Sequence, residues 1–253
     1  MSGHSHWATV RRKKGANDAK RGKVFSKLGR ELAIAAREGA DPDSNIRLRL
    51  VVSKARAAGM PKDIMERAIR RGAGLDKDAA AFEEIVYEGY GPHGVAMMIK
   101  VTTDNRNRAV ADLRSTLTRA GGSLAENGAV AWNFESKGYI SVPNTNDLDP
   151  DTLFEIAVEA GADDVEIANG YLEIYTAPGD LHIVRTALER AGLTPEMVEL
   201  TMKPKQMVAL SAKESVTLMN LVDQLEELDD VQQVYANLDI SEDTVSQYEA
   251  QTA

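Results

Sequence analysis

Residues 137–203 read KGYISVPNTNDLDPDTLFEIAVEAGADDVEIANGYLEIYTAPGDLHIVRTALERAGLTPEMVELTMK, and the order of periods within them decides the fold. Apolar alternation marks a strand from Tyr139 to Val142, and a 3.6-residue period marks a helix from Asp151 to Ala160. Two strands follow, Asp164 to Ala168 and Tyr171 to Thr176, then a helix from Gly179 to Ala191 and a strand from Met197 to Met202. This βαββαβ order is the split βαβ, ferredoxin-like arrangement.

The same kind of pattern, interrupted, flanks that stretch. Strands are expected at Glu84 to Tyr90 and Val95 to Thr103, a helix capped by Asp104 or Asn105, and a third strand from Ala129 to Phe134 with Trp132 in the core. Beyond residue 203 come a strand from Gln206 to Leu210, a helix from Ser211 to Leu228 and a strand from Val231 to Ala236. Residues 137–203 therefore read as one domain inserted into another of similar design. Upstream the pattern is helical. Val24, Phe25, Leu28, Leu32 and Ala35 share a face, Asp43-Ser44 can cap a second helix with Leu48, Val51, Val52 and Ala55 inward, and Pro61 opens a third. The predicted fold class is α+β: an N-terminal helical domain (1–80) followed by two ferredoxin-like α/β domains, one inserted in the other. These are 81–136 with 204–240, and the insert 137–203. Residues 241–253 are expected to be a flexible tail.

Charge divides along the same lines. Residues 1–80 hold 19 Lys+Arg against 9 Asp+Glu, a net of +10, while the rest of the chain is at −19 and the insert alone at −9. Arg11, Arg12, Lys13, Lys14, Lys20, Arg21, Lys23, Lys27 and Arg30 are opposed within their span only by Asp18, and Arg47, Arg49, Lys54 and Arg56 line the polar side of the second helix. With few acidic neighbours at i±4, these cations are expected to meet a polyanion rather than one another. These thirteen residues are the candidate nucleic-acid contacts. A helix-turn-helix, with residues 62–71 as recognition helix, competes with a plain bundle turn at Gly59, and the bundle turn is preferred because base-reading side chains are few. The acidic insert should repel nucleic acid and face a protein partner or solvent.

Other chemistries find no support in the residues. With no cysteine in 253 residues, disulfides, thiol nucleophiles and Cys-based zinc sites are excluded. Gly89-Tyr-Gly-Pro-His-Gly94 matches G-x-G-x-x-G but precedes a strand, not a helix, so it reads as a hairpin turn. Gly15 to Lys23 lacks phosphate-loop spacing, and Asp147, Asp149 and Asp151 lack the Gly and Glu that a calcium loop needs. His4 and His6 make a poor two-ligand site, and His93 and His182 have no triad spacing. No catalytic residue, metal or cofactor is assigned. The N-terminus does not read as a secretory signal, and no apolar run approaches the roughly 20 residues of a membrane span. The expected location is cytoplasmic.

Met1-Ser-Gly-His-Ser-His-Trp-Ala8, Asp18-Ala-Lys-Arg-Gly-Lys-Val-Phe25, Met60-Pro-Lys-Asp63, Tyr87-Glu-Gly-Tyr-Gly-Pro92 and Gly128-Ala-Val-Ala-Trp132 together resemble the YebC family. The likeness spans nearly the whole chain. His6 stands where Lys is expected, and His93 where Gly is. The resemblance implies three domains and a non-enzymatic role in gene expression. That role is either a DNA-binding transcriptional regulator or a ribosome-associated translation factor binding ribosomal RNA or tRNA and relieving stalls, as at proline runs. It places nucleic-acid contact between Gly3 and Arg30.

Overall fold

The computed structural model describes residues 21–76, 81–144, 149–168, 170–241, 244–245, 247–248 and 250. They form two compact units. The first takes its residues from 14–130 and 217–236, the second from 131–216 and from 237 onward.

The first unit opens with three helices, α1 (Arg21–Ala35), α2 (Ile46–Ala57) and α3 (Lys62–Gly72). Their apolar faces meet as expected: Leu28, Leu32 and Ala35 of α1, Leu48, Val52 and Ala55 of α2 and Met65 of α3 form one buried cluster. Gly22 lies inside α1. The cap of α2 is Asn45, not Asp43-Ser44. Its side chain accepts from the Leu48 amide and also donates to the carbonyls of Ala35 and Gly39, each at 2.8 Å. One buried amide thus starts α2 and ties it to the end of α1. Helices α1 and α3 cross closely enough that a Cβ at Gly72 would fall 2.0 Å from the Ala33 carbonyl oxygen.

An antiparallel sheet follows in the order β3 (Ser123–Leu124), β1 (Glu83–Tyr90), β2 (Ala96–Thr103), β9 (Val231–Ala236). In β2, Met97, Ile99 and Val101 are fully buried, as are Leu113 and Leu117 of α4 (Arg106–Arg119) and Leu218, Leu221 and Leu225 of α7 (Ala212–Glu226). The spatial order is that of a ferredoxin-like sheet, but the strand lying between β2 and β3 comes first in the chain instead of third. The hairpin β1–β2 turns at Pro92–Gly94, where His93 takes a positive φ of 61°. That φ explains why Gly suits this position better.

The second unit holds the sheet predicted for the insert, in the order β5 (Asp164–Ala168), β6 (Tyr171–Thr176), β4 (Phe134–Pro143), β7 (Met197–Pro204). Helices α5 (Pro150–Glu159) and α6 (Leu181–Arg190) supply Leu153, Ala157, Leu181, Val184 and Leu188 to its core, against Ile140, Val142, Leu172 and Ile174. All neighbours are antiparallel, which is the split βαβ order. Two short strands, β8 (Val208–Ala209) and β10 (Leu238–Asp239), pair in parallel.

A further expectation fails. The strand placed at Ala129 to Phe134 is a turn and a 3₁₀ segment, Ala131–Asn133, and β4 starts only at Phe134. Trp132 is accordingly 60% exposed instead of core. Beyond Ser241, Thr244 and Tyr248 are buried. No helix among the described residues is long and apolar enough to cross a membrane.

Candidate nucleic-acid interface

Arg11, Arg12, Lys13, Lys14 and Lys20 lie outside the described residues, and of Arg21 only the backbone, in α1, is described. The rest divide into two groups with different partners.

Lys23, Lys27 and Arg30 are spaced to share one face of α1, and the structure aims that face at the end of α7. Lys23 Nζ donates to the Glu227 carbonyl at 3.3 Å and Lys27 Nζ to that of Glu226 at 2.7 Å. Arg30 donates to the Asp229 carbonyl and lies 3.4 Å from the Asp230 carboxylate. The last carbonyls of a helix lack intrahelical partners and carry the negative end of its dipole, so cations cap them favourably. Burial holds the Lys27 ammonium below the usual lysine range, despite Glu226 and Glu31 nearby. Asp230 is itself a hub: it accepts from Thr103 Oγ1 at 3.0 Å and from Arg108 Nη2 at 2.8 Å. This clasp half-buries Lys27 and Arg30, while Lys23 stays exposed. Nothing in the spacing of Glu226-Glu-Leu-Asp-Asp230 points to α1, some two hundred positions upstream.

The second group stays outside. Arg47, Arg49, Lys54 and Arg56 are exposed on α2, and α2 contains no acidic residue. Arg47 meets Glu84 at 2.9 Å and Glu38 at 3.7 Å, and Lys54 meets Glu31 at 3.3 Å, all of them on neighbouring elements. Arg49 donates to the carbonyls of Pro42 and Asp43, which fixes its guanidinium without neutralising it. Arg56 makes no ion pair among the described residues. Exposed pairs of this kind are worth about 0–1 kcal/mol and exchange readily for a phosphate.

Helix α3, the recognition helix of a helix-turn-helix reading, pairs two of its four cations within itself. Lys62 meets Glu66 at 3.5 Å and Arg67 meets Asp63 at 3.0 Å, each one turn along. Arg71 pairs with Asp104 at 3.3 Å and lies over the Phe82 ring, 3.8 Å from its centroid. Burial works against ionisation of Asp104, but hydrogen bonds from Arg108 and Arg71 outweigh it and hold the carboxyl below its ordinary range.

Two of the quoted motifs prove to be one structure. The buried Glu88 carboxylate accepts from the amides of Gly128 at 2.6 Å and Val130 at 2.7 Å, while the Tyr90 hydroxyl donates to the Ala129 carbonyl at 3.1 Å. A strand carboxylate that caps loop amides holds residues 128–130 in place of strand pairing, which is why the predicted strand there is absent. Among the described residues no group of three His, Asp or Glu is arranged to hold a metal.

Comparison with known proteins covers the same ground. A family model for the TACO1/YebC protein N-terminal domain matches residues 5–75, and one for the TACO1/YebC second and third domain matches residues 82–238. A probable transcriptional regulatory protein of Geobacter sulfurreducens is 51% identical over 242 residues, covering 95% of this chain and 97% of that one. One from Bifidobacterium animalis subsp. lactis is 50% identical over 248 residues, 98% of each chain. The crystal structure of a conserved hypothetical protein from Aquifex aeolicus superimposes with a TM-score of 0.80 at 44% identity, covering 89% of this chain and 93% of that one.

Proposed function

The chain belongs to the TACO1/YebC family of regulatory proteins, and on that premise we propose that it regulates gene expression by binding nucleic acid, without catalysis, through the exposed cations of α2. The observation that carries this is a helix with four exposed Lys and Arg and no acidic residue of its own, inside a chain of net charge −9. A protein that is acidic overall gains nothing in solubility from such a face, and a polyanion is its natural complement. The relatives' names support a role in transcription, and DNA is the ligand that we propose for it. A second reading, regulation of translation on ribosomal RNA or tRNA, is favoured by α3: three of its four cations, Lys62, Arg67 and Arg71, pair with carboxylates, so among the described residues mainly Arg70 is left to read base edges in a major groove.

Salt titration of binding tests the shared claim. Four phosphate contacts predict a log–log slope of about −3 to −4 on duplex DNA. Alanine at Arg47, Arg49, Lys54 and Arg56 together should flatten it, and binding unchanged in that variant would assign the interface elsewhere. Footprinting on one promoter against salt-sensitive co-migration with ribosomal particles separates the two settings.

A further inference from the structure

A cleft of about 590 Å³ opens between α1 and α3, within the range of small-molecule sites. Phe25 and Gly29 of α1, Ile64 and Ala68 of α3 and Phe82 give it an apolar floor. The Arg71 guanidinium lies over Phe82, and Arg30 stands 5.9 Å from the same ring centroid. Carboxylates fix both arginines, Asp104 for Arg71 and Asp230 for Arg30. Arg67 stands at the wall of the cleft with its side chain 75% exposed, and among the described residues it pairs with Asp63, itself solvated. Among the described residues, Asp76 is the one carboxylate lining the cleft, against three guanidinium groups.

We propose that this cleft receives one unpaired nucleotide of a folded RNA, its base on the Phe82–Arg71 floor and its phosphate on Arg67. The inference rests on the second reading above, with RNA as the ligand, and adds what the α2 cations lack, since phosphate contacts position a ligand without discriminating between ligands. Arginine planes and aromatic rings are the surfaces on which extruded bases stack. A guanidinium held by a solvated ion pair can exchange it for a phosphate oxygen at little cost. Continuous duplex keeps its bases stacked and offers nothing that enters a cleft of this size, whereas bulges and loops of RNA do.

The test uses the full chain and three hairpins of equal length: RNA with one bulged 2-aminopurine, fully paired RNA, and DNA with the same bulge. The bulged RNA should bind about tenfold more tightly than the paired one, the scale of a single base stack, with a fall in 2-aminopurine emission. Gly29→Leu fills the cleft from a helical position where a Cβ meets only Met60 Cε, at 3.8 Å. With an unchanged melting curve, it should erase the tenfold preference while keeping the affinity for paired RNA. Arg67→Ala should reduce the preference severalfold. Equal binding of bulged and paired RNA, a preference that survives Gly29→Leu, or bulged DNA binding as well as bulged RNA would each overturn the proposal. So would a dimer that Gly29→Leu dissociates, which would give the cleft to a second copy of the chain. Failure to bind any hairpin would remove the underlying function instead, and this site with it.

Discussion

At the scale of single residues, Asn45 and Gly72 carry more than their size suggests. Asn45 both caps α2 and satisfies two carbonyls at the end of α1. Asn45→Ala should therefore cost about 2–3 kcal/mol, a lost cap plus carbonyls left unpaired, read as a lower urea midpoint at constant slope. Gly72→Ala places a methyl against the Ala33 carbonyl and should cost about 1–3 kcal/mol through overpacking, although alanine favours a helix. Neither role is legible in the sequence. Asp43, Ser44 and Asn45 are all competent caps, and what selects Asn45 is the pair of carbonyls that only an amide N–H can reach. Trp132 and Val130 alternate as strand residues do, yet Glu88, forty residues upstream, takes the amides that a strand would have used.

At the scale of elements, the contrast between α1 and α2 separates stabilising cations from available ones. Arg30→Ala leaves the Asp229 carbonyl and part of the Asp230 carboxylate without their donor. It should cost about 1–3 kcal/mol in thermal unfolding. Arg56→Ala should stay within about 0.5 kcal/mol and act on nucleic-acid affinity alone. Composition located a basic segment correctly but could not say which of its cations are engaged. Lys27 and Arg30 find their partners about two hundred positions later, at the end of a helix whose acidic run reads as surface. The sheet and helices of the second unit were legible because their periods alternate cleanly between strand and helix, and Gly and Pro mark most of the turns. The first sheet was harder: β3 has only two residues, and its connectivity departs from the pattern its sequence spacing suggests.

At the scale of the whole molecule, folding stability should depend on acid. Hydrogen bonds from Lys203 hold the Asp164 carboxyl below its usual range against the opposing effect of burial, with the Lys203 ammonium 2.6 Å away, and Asp104 is depressed in the same direction. A carboxyl whose folded pKa lies below its unfolded value contributes stability above the unfolded value, near 4, and loses it as pH falls through the folded one. The melting temperature should thus hold from pH 7 to about 5 and drop below about 4, with Asp104→Asn weakening that pH dependence. The clasp of α1 on residues 226–230 carries a temporal consequence as well. Synthesis runs from the N-terminus, so α1 emerges first and waits for its cap until some two hundred further residues have been translated. Through that interval Lys23, Lys27 and Arg30 are unclaimed, and the nascent chain is more cationic at its tip than the finished protein. In nascent chains arrested before residue 226, the Lys27 ammonium should react readily with an amine-modifying reagent, and chains extended past β9 should protect it.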